Sequence, residues 1–264
     1  MAITGKTALY GLIGHPIEHV GSPILINAYM AETGWDGVLV PLHVKPSDLG
    51  KVVDGLRRLE NLRGFLVTIP HKQTIVPLLD RLTESAELSG AVNVVRRDSD
   101  GTLTGDQLDG QGCAGALRKS GVSLAGARIY MSGAGGVAAG IGFALAQQGA
   151  GAITIFNRTI SRAEELAHRI KSAFPSCETR VGNSNPRGHD IVVNATSLGL
   201  KANDPYPMDV DGLDPSMMAV DVVINPQETA FLTAAAARGC RVQHGFRMVE
   251  EQLPLIMRAM DPNS

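Results

Sequence analysis

One stretch of the sequence, residues 127–162, limits the fold more than any other part of the chain. It starts with a short apolar run at 127–132, passes through a turn rich in glycine, and continues with apolar residues at helical spacing. A second apolar run follows at 153–156. This order predicts a strand, a glycine turn, a helix and a further strand, which is a building unit of an α/β sheet.

The glycine turn matches a dinucleotide-binding fingerprint. Gly133 and Gly135, with Ala138 at the third small position, fit the pattern G-x-G-x-x-G/A. The first position allows a tight turn, the second lets the backbone approach a pyrophosphate, and the third lets the helix pack closely on the strand. Free N–H groups at the start of the helix would hold the phosphates. The candidate cofactor-binding residues of this turn are Gly133, Ala134, Gly135, Gly136 and Val137.

The end of the second strand favours NADP over NAD. About 20 residues past the fingerprint, where an NAD-binding chain carries an acid for the ribose 2′-hydroxyl, the sequence reads Asn157-Arg158-Thr159, with Arg162 close by. A guanidinium flanked by amide and hydroxyl groups suits a 2′-phosphate instead. The alternative is that Arg158 and Arg162 are solvated residues near a helix start, where cations are unfavourable unless an anion compensates them. We therefore predict NADP as the cofactor.

The composition is that of an ordinary soluble protein and excludes several classes. The 264 residues are 44% hydrophobic and 19% charged, with a net charge of −2, so we expect no binding to nucleic acid or to a membrane surface. No stretch resembles a signal peptide or a transmembrane span, which predicts a cytoplasmic protein. The three cysteines are scattered and form no C-x-x-C pair, so they predict neither disulfides nor a zinc site, and we interpret them as apolar filling.

The N-terminal part predicts a mostly parallel sheet. Three apolar runs alternate with two helical stretches, and this β-α-β-α-β order implies parallel strands covered on both faces. The three runs lie at residues 7–13, 38–44 and 65–69. Ser22 fits the N-cap of the first helix, with Pro23 at the first helical position. Short helical pieces are predicted at 71–82 and 83–89, and a β-hairpin is predicted from 91–97 and 102–105.

The remainder of the chain predicts a second domain. Helices are predicted at 111–120, 161–174, 228–238 and 246–260, and further strands at 190–195 and 218–224. We expect an α/β fold of two domains: a substrate-binding domain at 1–108 and a Rossmann dinucleotide-binding domain at 109–243. The last helix exceeds what the Rossmann half needs, so we expect residues 244–264 to pack back on the first domain.

Two residues are candidates for acid/base chemistry. Lys72 follows a buried strand and a proline, at the kind of strand end where α/β sites form, although most lysines are solvated. Asp109 lies at the crossing between the domains, where it would also fit a helix cap. Hydride transfer to a carbonyl leaves an alkoxide that needs a proton, which an ammonium held by a carboxylate can give. His15, His19 and His71 have no carboxylate or cysteine at ligand spacing, so no metal site is predicted.

The order of several motifs resembles the shikimate dehydrogenase family over nearly the whole chain. The motifs are residues 14–23 (family G-x-P-I-x-H-S-x-S-P), 67–72 (V-T-x-P-x-K), 90–93 (G-A-x-N), 105–110 (G-D-N-T-D-G), and the segments 133–136, 157–159 and 194–197 of the NADP half. The resemblance implies two α/β domains with the cofactor cleft between them, and a catalytic pair of Lys72 and Asp109. It implies that Ser22, Thr68 and Asn93 touch the substrate, and it adds Thr196 to the cofactor site.

The departures from the family pattern concern substrate contacts. Val20 stands where the motif has its first serine, Leu66 where it has an asparagine, and Ile224 where a tyrosine is usual. The glutamine expected near the last helix is matched here to His244, which when protonated would offer a carboxylate a new partner. Each lost hydrogen bond to a charged group costs about 1.5–3 kcal/mol. The proton-transfer pair is retained, whereas the substrate preference is altered.

These observations predict an NADP-dependent oxidoreductase that transfers hydride reversibly between NADPH and the ring ketone of 3-dehydroshikimate or a close analogue. Its partner is a small cyclic hydroxy acid, and the sequence leaves a homodimer open. Two alternatives stay open as well. One is the same chemistry on quinate or an amino-shikimate-like ring acid. The other is a sensor that binds NADP and a metabolite without turnover.

Overall fold

The computed structural model describes residues 3–18 and 20–261. His19, one of the three histidines considered above as metal ligands, lies outside the described residues. The chain divides into two compact units. The first contains the residues up to Leu108 and those from Gln252 onward, and the second runs from Asp109 to Glu251.

The first unit is built on a six-stranded sheet with the order β2-β1-β3-β5-β6-β4. Its elements are β1 (Ala8–Gly14), α1 (Ser22–Thr33), β2 (Gly37–His43), α2 (Leu49–Arg57), β3 (Leu62–Val67), β4 (Arg81–Leu82), α3 (Glu84–Ser89), β5 (Val94–Arg97) and β6 (Leu103–Asp106). β1 pairs in parallel with both β2 and β3, which confirms the predicted β-α-β-α-β run. The predicted hairpin is also confirmed, since β5 and β6 pair antiparallel and β5 pairs antiparallel with β3.

Two local predictions in this unit are wrong. Ser22 is the first residue of α1 rather than its N-cap, which is Gly21, and no side chain caps this helix. Residues 71–82 are not a helix but a series of turns with one 3-10 turn at Val76–Leu78, ending in β4. The backbone N–H of Asp80 donates to the carbonyl of Leu103 at 3.0 Å, and β4 pairs with β6. This pairing with a distant strand overrides the local helical preference.

The core of the first unit lies between the sheet and its helices. On α2 the apolar residues recur at helical spacing and bury one face, consisting of Leu49, Val53 and Leu56. They pack with Phe65 and Leu62 of β3 in one apolar cluster. Full burial of each such side chain contributes about 1.5–3 kcal/mol, so this face rather than helix propensity holds α2 in place.

The second unit has six parallel strands in the order β12-β11-β10-β7-β8-β9. Its elements are α4 (Asp109–Lys119), β7 (Arg128–Ser132), α5 (Gly136–Gln147), β8 (Ala152–Phe156), α6 (Ile160–Ala173), β9 (Glu178–Val181), β10 (Ile191–Asn194), β11 (Met218–Asp221), α7 (Ala230–Ala237), β12 (Arg241–Gln243) and α8 (Gly245–Met260). The chain order reverses at β7, which lies between β8 and β10, and this is the Rossmann arrangement. The two edge strands, β9 and β12, have no counterpart in the sequence prediction.

The end of α8 packs on the first sheet. Its residues from Gln252 onward belong to the first unit, and Gly64 of β3 provides the space that they need. A Cβ atom added at Gly64 would lie 2.5 Å from the carbonyl oxygen of Val95 and 3.0 Å from the Cγ of Met260. Glycine at this position therefore lets the last turn of α8 approach the backbone of β3 directly.

Substituting Gly64→Ala should destabilise the protein by about 2 kcal/mol, because the new methyl overlaps backbone that cannot move without breaking the pairing of β3 with β5. Gly55→Ala is the matched control, since a Cβ there meets nothing within 4 Å and the site is helical. The free energy of unfolding of the control should rise by about 0.5–1 kcal/mol. Urea unfolding measures both free energies. An unchanged free energy of unfolding in Gly64→Ala would show that α8 does not pack closely here.

Candidate active site

Thr68 and Lys72 lie directly beyond the carboxyl end of β3. The N–H of Thr68 donates to the carbonyl of Ile13 at 2.9 Å, and the N–H of His15 donates to the carbonyl of Ile69 at 3.0 Å. The backbone pairing of β1 with β3 therefore continues past the strand ends. Lys72 follows in a turn, half-buried, and its carbonyl accepts the N–H of Val92 at 2.8 Å. The main chain of Lys72 is therefore fixed between two segments of the sheet.

Asn93 joins three chain segments at the same edge of the sheet. It is 5% exposed. Its backbone N–H donates to the backbone carbonyl of Asp106 at 3.0 Å, and its backbone carbonyl accepts the N–H of Val67 at 2.9 Å. Its side-chain Oδ1 accepts the N–H of Leu108 at 2.8 Å. These bonds place Asn93 beside Thr68 and Lys72, so three of the predicted site residues share one edge of the first unit.

The segment that should hold the substrate carboxylate is only partly polar. Ser22 begins α1, and Val20 precedes it as a half-buried residue. Leu66 of β3 and Leu108, at the end of the segment that follows β6, are both buried. Leu108 occupies the threonine position of the G-D-N-T-D-G motif, a further departure that sequence reasoning did not weigh. Apolar side chains thus occupy three positions where the family motifs have polar ones.

Asp109 is the first residue of α4 and 3% exposed. The helix begins at Asp109, two residues before the predicted start at residue 111. A carboxylate in the first turn is stabilised by the positive end of the helix dipole. Lys72 belongs to the first unit and Asp109 to the second, and their pairing stays a prediction.

The glycine turn of the second unit has the form that a dinucleotide cradle needs. Gly133 has a φ of +117°, and a Cβ added there would lie 2.6 Å from the carbonyl oxygen of Ala195. Gly135 is the N-cap of α5, and a Cβ there would meet nothing within 4 Å. The first glycine thus allows contact between the loops after β7 and β10, and the second leaves the helix start bare. The residues present fit a bound pyrophosphate.

The loop between β8 and α6 carries the residues predicted for the 2′-phosphate. Arg158, Thr159 and Arg162 are exposed, and Thr159 is the N-cap of α6 without a side-chain cap bond. The Nδ2 of Asn157 donates to the carbonyl of Thr159 over 2.8 Å, which fixes the shape of the loop. The first turn of α6 contains no acid, so nothing there neutralises Arg162 at the positive end of the helix. This arrangement suits an anionic ligand.

Sequence reasoning missed a buried polar network beneath the cofactor loops. The Oδ1 of Asn194 accepts the N–H of Thr196 at 3.1 Å and its hydroxyl at 2.7 Å, while its Nδ2 donates to Asp221 over 3.0 Å. Asp221 also accepts the hydroxyl of Thr229 at 2.7 Å. Burial raises the pKa of Asp221, which these hydrogen bonds oppose. The network joins the loops after β10 and β11, and the only signal in the sequence was the motif that contains Asn194 and Thr196.

His244 and Gln252 lie at different positions along the last segment of the chain. The Nε2 of His244 lies 2.6 Å from the Oε1 of Glu228, so a substrate carboxylate would compete with Glu228 for this ring. Gln252, in α8, is 4% exposed and donates from Nε2 to the carbonyl of Leu108 over 3.3 Å. The sequence analysis matched the expected glutamine to His244 and did not consider Gln252, and the role of His244 stays a prediction.

Neither a metal cluster nor a membrane span occurs in the part of the chain that the structure describes. Within residues 3–18 and 20–261, no group of three or more histidine, cysteine, aspartate or glutamate side chains is arranged to hold a metal ion. Over the same residues, no helix is long and apolar enough to cross a membrane. His15 and His43 do contact each other, with Nδ1 and Nε2 separated by 2.9 Å.

Two family models match the chain. The model described as shikimate dehydrogenase substrate binding domain matches residues 12–95, and the model described as shikimate / quinate 5-dehydrogenase matches residues 115–201. A curated relative, the shikimate dehydrogenase (NADP(+)) of Rubrobacter xylanophilus, is 42% identical over 254 residues, covering 94% of this chain and 88% of its own. These matches confirm the family resemblance, and NADP is the cofactor named for the curated relative.

Solved structures with the same fold include enzymes named for different substrates. A shikimate dehydrogenase in complex with NADP+ aligns with a TM-score of 0.90 at 33% identity, covering 99% of this chain and 92% of the other. The ligand-free 5-ketofructose reductase of Gluconobacter sp. strain CHM43 aligns with a TM-score of 0.86, also at 33% identity, covering 99% of this chain and 95% of the other. The predicted class of two α/β units, one of Rossmann type, is confirmed.

Substitution of the two glycines should separate folding from cofactor binding. Gly133→Ala forces a side chain onto a positive φ and against Ala195, so we expect a loss of about 1–3 kcal/mol in stability as well as weaker NADP binding. Gly135→Ala should leave the melting temperature unchanged yet raise the Kd for NADP at least about tenfold, equivalent to about 1.4 kcal/mol, by placing a methyl in the path of the pyrophosphate. Calorimetric titration and thermal melts measure these effects. Unchanged NADP affinity in Gly135→Ala would place the phosphates elsewhere.

Proposed function

The chain belongs to the shikimate dehydrogenase family, and from that premise we propose that it transfers hydride reversibly between NADPH and the ring ketone of 3-dehydroshikimate or a close analogue. The curated relatives are named shikimate dehydrogenase (NADP(+)), which is an oxidoreductase that acts on a CH–OH group. The observation that carries the proposal is the convergence of Thr68, Lys72 and Asn93 at one edge of the first sheet. We assign substrate binding to the first unit and dinucleotide binding to the second, in a cytoplasmic enzyme.

The cofactor would be held by the second unit. The N–H groups from Ala134 to Val137 at the start of α5 would bind the pyrophosphate, with Thr196 on the neighbouring loop, and Arg158 with Asn157 and Thr159 would bind the 2′-phosphate. When bound, NADP(H) supplies or accepts the hydride. Arg162 adds a second positive charge close to the 2′-phosphate loop.

Proton transfer falls to Lys72. During reduction the ammonium of Lys72 donates a proton to the carbonyl oxygen as that oxygen gains negative charge, and during oxidation the neutral amine takes the proton from the hydroxyl. The carboxylate of Asp109 keeps the ammonium charged and oriented. Hydride to carbon and proton to oxygen together convert the ketone to a secondary alcohol, so no further reactant is needed.

Substrate recognition would use fewer polar groups than the family motifs provide. Ser22, Thr68 and Asn93 remain to bind hydroxyl and carboxylate oxygens, whereas Val20 and Leu66 remove two partners. Each missing bond to a carboxylate costs about 1.5–3 kcal/mol, so two of them would weaken binding of a ring acid by about two to four powers of ten. His244 can replace part of this lost binding energy only if its ring leaves Glu228 and binds the substrate carboxylate instead.

A second candidate substrate class follows from the same apolar positions. Leu66 and Leu108 are buried at the substrate edge, and their side chains can pack against carbon but cannot bind a carboxylate. The structurally similar 5-ketofructose reductase is named for a keto sugar, which carries no carboxylate. The alternative is therefore reduction of a ketone on an uncharged polyhydroxy compound with the same cofactor and the same Lys72.

A substrate panel decides between the two classes. Purified protein with NADPH is offered 3-dehydroshikimate, 3-dehydroquinate and 5-ketofructose, and oxidation of the nicotinamide is followed by absorbance. We expect the highest kcat/KM with 3-dehydroshikimate or a related ring acid. A preference for 5-ketofructose would favour the uncharged class, and tight NADP binding without turnover of any ketone would favour the sensor. Replacing NADPH by NADH tests the role of Arg158. We expect the protein to bind NADH less tightly than NADPH, because NADH lacks the 2′-phosphate.

Lys72→Met should lower kcat by about 10²–10⁴ while leaving the Kd for NADP unchanged, because it removes the proton donor and keeps the length of the side chain. Lys51→Met is the control, since Lys51 is an exposed residue of α2. Stopped-flow turnover and NADP titration measure the two effects. Equal losses of turnover and NADP affinity would count against Lys72 as the proton donor.

A further inference from the structure

The imidazole next to Lys72 in the sequence is fully buried and makes one specific contact. The Nε2 of His71 lies 2.8 Å from the carbonyl oxygen of Val44, and the ring has no exposed surface. Because a carbonyl only accepts, Nε2 must carry the hydrogen. No partner for Nδ1 occurs among the described residues, which fits a neutral ring with its lone pair on Nδ1.

The main chain of His71 organises the turn that carries Lys72. The N–H of His71 donates to the carbonyl of Thr68 over 2.9 Å, and the carbonyl of His71 accepts the N–H of Ile75 at 3.0 Å. The hydroxyl of Thr74 donates to the same carbonyl over 3.2 Å. Residues 68–75 are therefore one compact turn, and the His71 side chain is the group that extends from it to the strand on the far side of β1.

Val44 is a firm attachment point for that side chain. Its N–H donates to the carbonyl of Gly14 over 3.1 Å, so it continues the pairing of β2 with β1 beyond the end of the strand. Its own side chain is buried in the core of the first unit. A hydrogen bond from His71 to this carbonyl joins the Lys72 turn to β2, in addition to its backbone links to β1 and β5.

The surroundings of His71 disfavour a positive charge. Burial lowers the pKa of His71, the bond to Val44 opposes that effect, and His15 lowers the pKa further. Other charged and titratable groups nearby along the chain are His43 and Lys45, on either side of Val44, and Lys72 itself. These effects favour the neutral ring, and a neutral ring can still donate from Nε2 to the carbonyl of Val44.

We propose that His71 is a positioning residue for Lys72, whose neutral imidazole anchors the 68–75 turn to Val44 and so sets where the ammonium of Lys72 lies. The inference rests on the proposed function of Lys72. Misplacement of a reacting group by about 1 Å can lower turnover by about 10²-fold, so loss of the anchor should appear in kcat.

Two variants of His71 test the anchor. His71→Leu removes the donor and keeps an apolar side chain, and we expect kcat to fall at least about tenfold, with the Kd for NADP unchanged. His71→Gln places an amide N–H near the position of Nε2 and should restore kcat to within about threefold of the wild type. Failure of glutamine to restore turnover, or normal kcat in His71→Leu, would overturn the proposal.

A destabilised control separates positioning from general stability. Leu103→Ala, in the same core at the far end of β6, should lower the melting temperature without lowering kcat by more than about twofold. Hydrogen exchange gives a readout independent of turnover, since His71→Leu should speed exchange in the peptide covering 68–76 and Leu103→Ala should not. If Lys72→Met retains full turnover, the proposed function fails, yet the exchange comparison still decides whether His71 anchors the turn.

Stability against pH provides the last test. The pKa of His71 is lowered from 6.5 by folding, so its contribution to stability is complete above pH 6.5 and is lost as the pH falls through the folded pKa. The wild type should therefore lose melting temperature on acidification below pH 6.5 more steeply than His71→Gln. The other ionisable residues are the same in both proteins, so the comparison isolates the residue at position 71. Equal slopes would overturn the proposal, since the anchor needs a buried neutral ring.

Discussion

Parallel pairing of strands is the constraint on which both halves of the proposed site depend. In a parallel sheet the segments that leave the strands all emerge at one edge, and the backbone bonds that continue past the strand ends hold those segments side by side. In the first unit the parallel pairing of β1 with β3 joins Thr68 to Ile13, and the antiparallel pairing of β3 with β5 joins Asn93 to Val67. In the second they bring Gly133 against Ala195. Residues distant in sequence thus reach a common edge without any direct attraction between their side chains.

The two units keep their edges rigid in different ways. The second uses a charged group: the buried Asp221, bonded to Asn194 and Thr229, holds two loops together at the cost of desolvating a carboxylate. In the first unit the Oδ1 of Asn93 and the imidazole of His71 bond to backbone, and the carboxylate of Asp106 accepts the hydroxyls of Thr83 and Ser85.

The proposed change of substrate preference with retained chemistry has a physical reason. Proton transfer needs one amine and one carboxylate, and both residue types are present at positions 72 and 109. Recognition of a ring acid needs several hydrogen bonds, and under the proposed function each apolar replacement at 20, 66 or 108 would remove one independently. A family member can therefore retain its reaction while its substrate changes, and the similarity to a keto-sugar reductase is compatible with that view.

The sequence by itself determined the mostly parallel α/β class and the glycine turn, and it predicted NADP as the cofactor and Lys72 as the proton donor, because each depends on local periodicity or on the chemistry of a short motif. It did not determine β4, β9 and β12, which are short and held by pairing with distant strands rather than by their own pattern. Nor did it reveal Asp221 or the bond from His71 to Val44, because a lone aspartate or histidine has no signature in sequence. Only the tertiary structure decides whether such a side chain is buried and what it contacts, since both depend on residues far apart in the chain.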